Sequence, residues 1–337
     1  MSGVYPLVFE TILKEKVWGG RALERLGKSL APGKMVGESW EVADLAATSA
    51  DGGGGAAERS VVANGAMKGR TVHEVMEAWG TGLMGSLRPS AEGGFPLLVK
   101  YLDAQENLSV QVHPSPEYAR AHRGAHLKTE SWYIVDAKPG AVIYKGIRAG
   151  VTRGMFEKKL RAGASIVEDL IAIPVRAGDC HHLPSGTCHA LGAGVLVAEV
   201  QTPSDTTYRV CDWGRTGRAL HVEQAMACIQ FGPPERVEAI RSDGSARCEL
   251  VRTSAYTLAE LRVRAGERVK IEIRNGKPVV WMAISAAGTL RSPRGDFSDV
   301  EVRRGVTVLL PAGLGEAEFI AGSGEQSGTV LEAGFPG

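Results

Sequence analysis

The sequence of 337 residues has almost no net charge and no long apolar run. Its 39 Lys and Arg residues nearly balance 38 Asp and Glu residues, which leaves a formal net charge of +1. A chain without a dense basic cluster lacks the electrostatic footprint of a nucleic-acid-binding protein. No apolar stretch approaches the roughly 20 residues that span a bilayer, and early charged residues interrupt any secretory signal. We therefore predict a cytoplasmic protein that binds neither nucleic acid nor a membrane.

Cysteine is also scarce. The five cysteines are an odd number and include no CxxC pair, which suits reduced thiols better than a disulfide framework. Glycine is abundant instead, at 43 residues, and 16 prolines add further breaks. This composition favours many turns and short strands over long helices.

Candidate metal ligands lie close together in the segment 95–133. Successive side chains of a strand alternate between its faces, so Gln111 and His113 point the same way, and Pro114 ends the strand directly after them. Glu130 begins a second strand-like run and supplies a carboxylate. The segment therefore offers three potential ligands, provided that its two strands meet.

A second strand pair is predicted around His189. Residues 184–186, Pro-Ser-Gly, indicate a tight turn, and the glycines at 192 and 194 indicate another. We expect residues 195–200 to run back beside His189 as a hairpin, which places Glu199 on the strand paired with it.

The texture of the sequence changes after about residue 245. Short strands separated by Gly, Asn and Pro turns continue to the end, which is typical of a small sandwich or barrel. No histidine follows His221, so this part has no imidazole metal site of its own. The sequences Leu-Pro-Ser-Gly at 183–186 and Leu-Pro-Ala-Gly at 310–313 suggest related halves. We predict a mainly β protein with a catalytic domain at 1–240 and a smaller domain at 245–337.

A few short helices are expected in the first part. Thr71 is a typical N-cap, and Glu74 three residues later completes a capping box. Thr152 is the expected cap of another helix. The small, Gly-rich residues 46–60 predict a loop.

A mixed nitrogen and oxygen ligand set is formed by Gln111, His113, Glu130 and His189. Zn²⁺ binds imidazole nitrogen and carboxylate oxygen at roughly 2.0–2.2 Å, and a catalytic site keeps one position open. The wide separations, 17 residues from His113 to Glu130 and 59 from there to His189, make spacing a weak indicator. The alternative is that both histidines are hydrogen-bonded strand residues inside a barrel.

Three cations bracket these ligands in the sequence: Lys100, Lys128 and Arg209. Cations that converge near a metal suit a phosphorylated or otherwise anionic substrate, whereas the alternative for each is a solvated surface charge. Glu199 offers a second carboxylate, either as an acid/base group or as a partner that orients a ligand.

The motifs together resemble a known family. The chain contains, in order, FPLLVKYLDAQENLSVQVHP, KTESWYIV, PSGTCHALGAG and TYRVCDWGR, preceded by VWGG and GESWEVAD. This text, from about residue 5 to 230, is similar to type I mannose-6-phosphate isomerases (phosphomannose isomerases), especially the short bacterial form. The resemblance implies a fold of the cupin superfamily, with two jelly-roll-like β-barrels. It also implies a zinc-dependent aldose–ketose isomerase that interconverts mannose 6-phosphate and fructose 6-phosphate through an enediol(ate).

The resemblance also implies residue roles. One Zn²⁺ per chain would be held by Gln111, His113, Glu130 and His189, with Arg209 as the active-site arginine. The positions that line the family's pocket correspond to Lys100, Ser109, Lys128 and Glu199. Lys100 or Lys128 would hold the phosphate, and Lys128, Glu199 or a water on the metal would carry the proton. We expect a sugar phosphate as the small-molecule partner, and a monomer or homodimer.

The chain departs from the family pattern at three places. Cys180-His181-His182 stands where an apolar or aromatic pair usually precedes the Leu-Pro turn, and Cys188 and Cys211 replace a small or apolar residue and an aromatic residue. Three alternatives therefore stay open: isomerisation or epimerisation of another sugar, a non-catalytic cupin that binds a sugar phosphate, and a redox cupin with iron or manganese.

Overall fold

Short β-strands dominate the computed structural model, which describes residues 3–46, 57–122, 124–323 and 327–337. The mainly β fold predicted from composition and strand spacing is confirmed. Most of the predicted Gly-rich loop, residues 47–56, lies outside the described residues.

The strands and helices are short throughout the described ranges. In the first part the strands are β1 (Leu7–Val8), β2 (Ile12–Gly20), β3 (Val36–Val42), β4 (Asp44–Leu45), β5 (Glu58–Arg59), β6 (Leu98–Ala104), β7 (Val110–Val112), β8 (Glu130–Ala137), β9 (Val142–Ile147), β10 (Leu170–Pro174), β11 (Cys180–Leu183), β12 (His189–Leu191), β13 (Val195–Gln201) and β14 (Tyr208–Cys211). Later strands are β15 (Arg247–Arg252), β16 (Thr257–Val263), β17 (Arg268–Lys270), β18 (Val279–Ala283), β19 (Gly288–Arg291), β20 (Val300–Val302), β21 (Thr307–Leu310), β22 (Glu318–Ala321) and β23 (Gly328–Gly334). The α-helices are α1 (Val72–Trp79), α2 (Thr81–Met84), α3 (Pro116–Ala121), α4 (Arg153–Arg161) and α5 (Val222–Cys228), with 3₁₀ turns at Ala22–Leu26, Val167–Asp169 and Arg274–Gly276.

The predicted helix caps are confirmed. The Thr71 hydroxyl accepts a hydrogen bond from the Glu74 backbone N–H at 3.2 Å, and the Glu74 carboxylate accepts one from the Thr71 N–H at 2.7 Å. This reciprocal capping box satisfies donors that the first turn of α1 leaves free. The Thr152 hydroxyl caps α4 by accepting a hydrogen bond from the Met155 backbone N–H at 3.3 Å. Among the described residues, no helix has the length and apolar character that crossing a bilayer requires.

Four larger sheets position the strands. Sheet I has the order β11-β8-β13-β6-β3-β2, and sheet II has the order β10-β9-β12-β7-β14. Sheet III has the order β1-β21-β18-β23-β16-β15, and sheet IV has the order β17-β22-β19-β20. Side chains from sheets I and II share one buried apolar cluster, and those from sheets III and IV share another.

The hairpin predicted around His189 is wrong. Strand β12 pairs with β7 and β9 in sheet II, whereas β13 pairs with β6 and β8 in sheet I. The turn at 192–194 therefore carries the chain from one sheet to the other, as strands do at the corners of packed sheets. A Cβ at Gly192 would lie 2.2 Å from the Val142 carbonyl oxygen, so the crossing strand can approach β9 only with glycine there. Glu199 consequently lies opposite Lys100 and Trp132 and is not paired with His189.

The two pairs of sheets repeat one strand order. Five neighbouring strands of sheet III, in the order β21-β18-β23-β16-β15, correspond to β11-β8-β13-β6-β3 of sheet I. The strands of sheet IV in the reversed order β20-β19-β22-β17 correspond to β10-β9-β12-β7 of sheet II. Trp132 lies opposite Glu199, and its indole N–H donates to that carboxylate at 2.9 Å. Trp281 lies opposite Glu332 and makes the same hydrogen bond at 3.0 Å. These correspondences support the related halves suggested by the two Leu-Pro turns.

An apolar layer joins sheet I to sheet III, and we call it the seam. Its buried members include Tyr101, Tyr133, Ala198 and Val200 from sheet I, and Leu258, Met282, Leu309 and Leu331 from sheet III. Strand β1 pairs with β21, so the beginning of the chain completes the edge of sheet III. The division at 1–240 and 245–337 and the two-barrel description stay predictions.

Candidate metal centre

Three predicted ligands converge inside the space between sheets I and II. His113 follows β7, Glu130 begins β8 and His189 begins β12, and one ligand atom from each lies within 4.8 Å of the others. The Glu130 carboxylate lies 3.3 Å from His113 Nε2 and 3.1 Å from His189 Nε2. All three side chains are at most 1% exposed. The long separations in sequence are closed by sheet pairing, which no local spacing indicates.

Both imidazoles are fixed by backbone carbonyl groups. His113 Nδ1 lies 3.0 Å from the Thr206 oxygen, and His189 Nδ1 lies 2.7 Å from the Thr187 oxygen. A carbonyl accepts only, so each Nδ1 carries the proton and each Nε2 presents a lone pair, an assignment made from the hydrogen-bond network. Metal-binding histidines are oriented in this manner.

The arrangement fits a bound cation. His113 Nε2 and Glu130 Oε1 are buried and have no hydrogen-bond partner among the described residues, whereas Glu130 Oε2 forms an ion pair with Lys128. The accepting Nε2 atom of each imidazole thus lies 3.1–3.3 Å from an accepting carboxylate oxygen of Glu130. Burial makes such a contact costly unless a cation lies between the two atoms. An imidazole–carboxylate–imidazole set is a donor set that Zn²⁺ favours and that iron and manganese also accept.

Gln111 is the fourth predicted ligand, and it contacts the same point. Its Nε2 lies 3.3 Å from His189 Nε2, and the two residues are opposite each other across β7 and β12. The oxygen and nitrogen of the amide exchange by rotation about its last side-chain bond, so the amide oxygen can reach the same place.

Charge around the ligands keeps them in the forms that bind metal. Burial would raise the pKa of Glu130, but the Lys128 ammonium, 2.9 Å away, and His113 hold it well below its usual range. Burial, with the charge of Lys128, lowers the pKa of His113 to about 3. At neutral pH the site therefore contains a carboxylate and a neutral imidazole.

A cavity of about 170 Å³ opens beside the ligands. It is lined by Lys14, Lys16, Trp18, Glu38, Trp40, Lys100, Leu102, Leu108, Ser109, Gln111, Lys128, Glu199, Asp205, Thr207, Arg209 and Arg218. The lining contains six cationic side chains against three carboxylates, a surplus of three positive charges. The structure therefore places every predicted pocket residue together, and the cavity suits an anionic ligand.

Glu199 and Lys100 face each other across the pocket wall. Lys100 Nζ lies 3.4 Å from Glu199 and 3.9 Å from Glu38, and it also lies over the Trp40 ring at 4.9 Å. Burial, followed by repulsion from Glu130, raises the pKa of Glu199. A buried carboxyl with a raised pKa is suited to taking up and releasing a proton.

Arg209 enters the cavity from β14 beside a second arginine that the sequence reading missed. Arg209 is held by a hydrogen bond from its guanidinium to the Ala219 oxygen at 2.7 Å, while its Nε has no partner among the described residues. Arg218 is held by the buried Asp212 carboxylate, to which its Nε donates at 2.8 Å. Burial, then the nearby charge of Arg218, lowers the pKa of Arg209. Two guanidinium groups in one wall are stabilised by an anion between them.

Several other lining residues were not predicted, although alternation contains a signal for them. Lys14, Lys16 and Trp18 occupy alternate positions of β2, and Glu38 and Trp40 occupy alternate positions of β3. Each trio or pair therefore shares a strand face. The missing information was that β3 lies beside β6, where Trp40 is opposite Lys100.

The second pair of sheets has no equivalent ligand at the position of Glu130. Leu183 lies opposite Glu130 in sheet I, and Leu310, from the matching Leu-Pro turn, lies opposite Val279 in sheet III. An apolar side chain thus stands where the carboxylate would be.

The chain is similar to known proteins over most of its length. Residues 7–144 match the family described as phosphomannose isomerase type I, catalytic domain. The mannose-6-phosphate isomerase ManA of Bacillus subtilis (strain 168) is 34% identical over 328 residues, a match that covers 92% of this chain and 94% of that protein.

Solved structures show the same fold. The crystal structure of the mannose 6-phosphate isomerase from Bacillus subtilis has a TM-score of 0.81 and 28% identity, and covers 97% of this chain and 99% of that one. A zinc-bound mannose 6-phosphate isomerase has a TM-score of 0.75 and 15% identity, and covers 98% of this chain and 100% of that one. The latter likeness shows the fold alone.

Proposed function

Because the chain belongs to the type I mannose-6-phosphate isomerase family, we propose that it interconverts mannose 6-phosphate and fructose 6-phosphate. One observation carries this proposal: the buried set of His113, Glu130 and His189 adjoins a cavity with a surplus of three positive charges. A ligand set for a cation suits a reacting centre with sugar oxygens, and the cationic wall suits a phosphate group.

The metal assignment follows from the donor set. Gln111, His113, Glu130 and His189 would hold one Zn²⁺ per chain. Zinc supplies Lewis-acid stabilisation of the negative charge that develops on the substrate oxygens. The carbonyl partners at Thr206 and Thr187 keep the ligand nitrogens aimed at one point.

The remaining pocket residues orient the sugar phosphate and move the proton. We assign Arg209 to electrostatic stabilisation of the substrate, and Lys100 and Ser109 to substrate binding. Lys128 and Glu199 are the residues positioned to carry the proton between C1 and C2, because both are buried and line the cavity. Burial of these groups keeps bulk water away from an enediol(ate), which protects it from side reactions.

The departures at Cys180-His181-His182 do not reshape this pocket. None of the three side chains is among the residues that line the cavity. His181 is fully buried, and His182 contacts Ser131 on the opposite face of β8 from Glu130. The cavity therefore provides no argument for a different sugar.

The decisive experiment is a coupled isomerase assay with mannose 6-phosphate before and after chelation. We expect activity to disappear with chelator and to return with Zn²⁺, and His113→Ala to be inactive while still folded. Elemental analysis of the purified protein distinguishes zinc from iron or manganese. Full activity of a metal-free preparation would show that the proposed mechanism is wrong. Calorimetric binding of the sugar phosphate without turnover would favour a non-catalytic role.

We also propose a cellular compartment and an oligomeric state for the enzyme. A sugar phosphate does not cross a membrane unaided, and the five cysteines are free within the described structure, so we place the protein in the cytoplasm. We propose a monomer or homodimer, which sedimentation of the purified protein will distinguish.

A further inference from the structure

Strand β8 has a chemically different role on each of its two faces. Glu130 and Trp132 point between sheets I and II, where Glu130 meets His113 and His189. Ser131 and Tyr133 alternate with them and therefore point the other way, into the seam. One short strand thus connects the candidate metal centre to sheet III.

Polar contacts cross the seam at this strand. The Ser131 hydroxyl lies 2.8 Å from the Tyr256 hydroxyl and 3.0 Å from His182 Nδ1. Two residues along, the Tyr133 hydroxyl donates to Glu260 at 2.8 Å. Ser131 and Tyr256 are both fully buried. In both the Ser131–Tyr256 and the Tyr133–Glu260 contact, the two partners are more than 120 residues apart in the sequence.

These contacts fix β8 in a way that apolar packing does not. Burial of apolar surface is non-directional, so it resists separation of the sheets more than small shifts within their plane. Buried hydroxyl groups that lose a partner are costly, and hydrogen bonds weaken steeply with misalignment. The Ser131–Tyr256 contact therefore resists a displacement of β8 that would also move the Glu130 carboxylate.

We propose that Tyr256 is a positioning residue for the metal centre: acting through Ser131, it fixes the strand that presents Glu130. His182 is the third member of this arrangement, which gives a role to a residue that departs from the family pattern. The inference rests on the metal assignment proposed above. It gives the second half of the chain a function beyond covering sheet I.

The test is the Zn²⁺ affinity of the Tyr256→Phe variant. The metal-free protein is titrated with Zn²⁺ in competition with a chromophoric chelator, without substrate. Partners that orient metal ligands typically change affinity by about 10- to 100-fold, and we expect a weakening in that range. The benzene ring is retained, so the seam stays filled.

A matched control separates positioning from general stability. Tyr5 is also buried, and its hydroxyl donates to the Asn64 backbone oxygen at 3.2 Å and accepts from the Met67 N–H at 2.6 Å. Neither partner lies on a strand that carries a ligand. Tyr5→Phe should lower the urea midpoint at least as much as Tyr256→Phe, while its Zn²⁺ affinity stays within twofold of the native value.

A second variant tests the same hydrogen bond from the other side. Ser131→Ala should weaken Zn²⁺ binding by a similar factor. The double variant should bind Zn²⁺ no more weakly than the weaker-binding of the two single variants, because both substitutions remove the same interaction. Native affinity in Tyr256→Phe, or an equal loss in Tyr5→Phe, would overturn the inference. If the native protein itself binds no Zn²⁺, the metal assignment fails first, and the two failures are thereby distinguished.

Discussion

Replacing Glu130 by Gln changes one charge in the metal centre and almost nothing in its shape. The carboxylate is fully buried, contacts the Nε2 atoms of His113 and His189, and forms an ion pair with Lys128 at 2.9 Å. An amide of the same size keeps one oxygen in place but removes the negative charge. The variant therefore tests electrostatics with little repacking.

Two magnitudes follow for Glu130→Gln. Removing one partner of a buried ion pair typically costs about 3–5 kcal/mol, so the metal-free variant should be destabilised by roughly that amount because Lys128 loses its partner. Groups that only orient a ligand change metal affinity by about 10- to 100-fold, and a direct ligand should exceed them. We expect Zn²⁺ affinity to fall by at least about 100-fold.

The matched variant is Lys128→Met, which removes the other member of the pair. Its expected effect on Zn²⁺ affinity is opposite to that of Glu130→Gln, because it removes a repelling cation that lies 2.9 Å from the ligand oxygen. Zn²⁺ should bind at least as tightly as in the native protein, while turnover of mannose 6-phosphate falls. Chelator competition measures affinity, urea unfolding measures stability, and the coupled assay with saturating Zn²⁺ measures turnover.

Two results would refute this reasoning. Binding of Zn²⁺ by Glu130→Gln within tenfold of the native affinity would remove Glu130 from the ligand set. Lys128→Met showing the same loss of affinity would mean that burial of charge, and not ligation, determines binding.

The remaining predictions concern the cavity wall. Arg209→Gln should lower kcat/KM for mannose 6-phosphate by about 10- to 100-fold, because a hydrogen bond to a charged group contributes about 1.5–3 kcal/mol. The Zn²⁺ affinity of this variant should not change. Unchanged kinetics would exclude Arg209 from the site. Burial would raise the pKa of Glu38, but Lys100 and Lys16 lower it to about 2 from the ordinary 4.5. The ionised Glu38 thus stabilises the fold above about pH 4.5, and this contribution disappears as the pH falls towards 2. Urea unfolding of Glu38→Gln at pH 6 and pH 3 should show the larger destabilisation at pH 6, and an equal deficit at both values would contradict the assignment.

Strand alternation accounts for two of the four proposed ligands. Gln111 and His113 were placed on one face because side chains alternate, and the structure confirms that both reach His189 or Glu130. The local sequence also predicts the caps at Thr71 and Thr152, because a capping side chain bonds to a backbone N–H only three residues further along the chain.

Pairing between distant strands was beyond local reasoning. The glycines at 192 and 194 predicted a turn, but a turn does not specify whether the next strand stays in the same sheet. Lys16 and Glu38 were missed for a related reason, because their approach to Lys100 depends on β3 lying beside β6. The contact between Ser131 and Tyr256 spans 125 residues, and neither residue type by itself indicates a partner.

The pairing of β1 with β21 has a consequence for dividing the protein into fragments. A cut in the chain near residue 243 would leave the later fragment with β21 as an exposed edge, because Leu7 and Val8 would remain on the earlier fragment. Unpaired edge strands promote aggregation, and the apolar seam would be exposed on both pieces. The two fragments should therefore fold together by complementation when they are co-expressed, and the later fragment should aggregate when it is expressed alone.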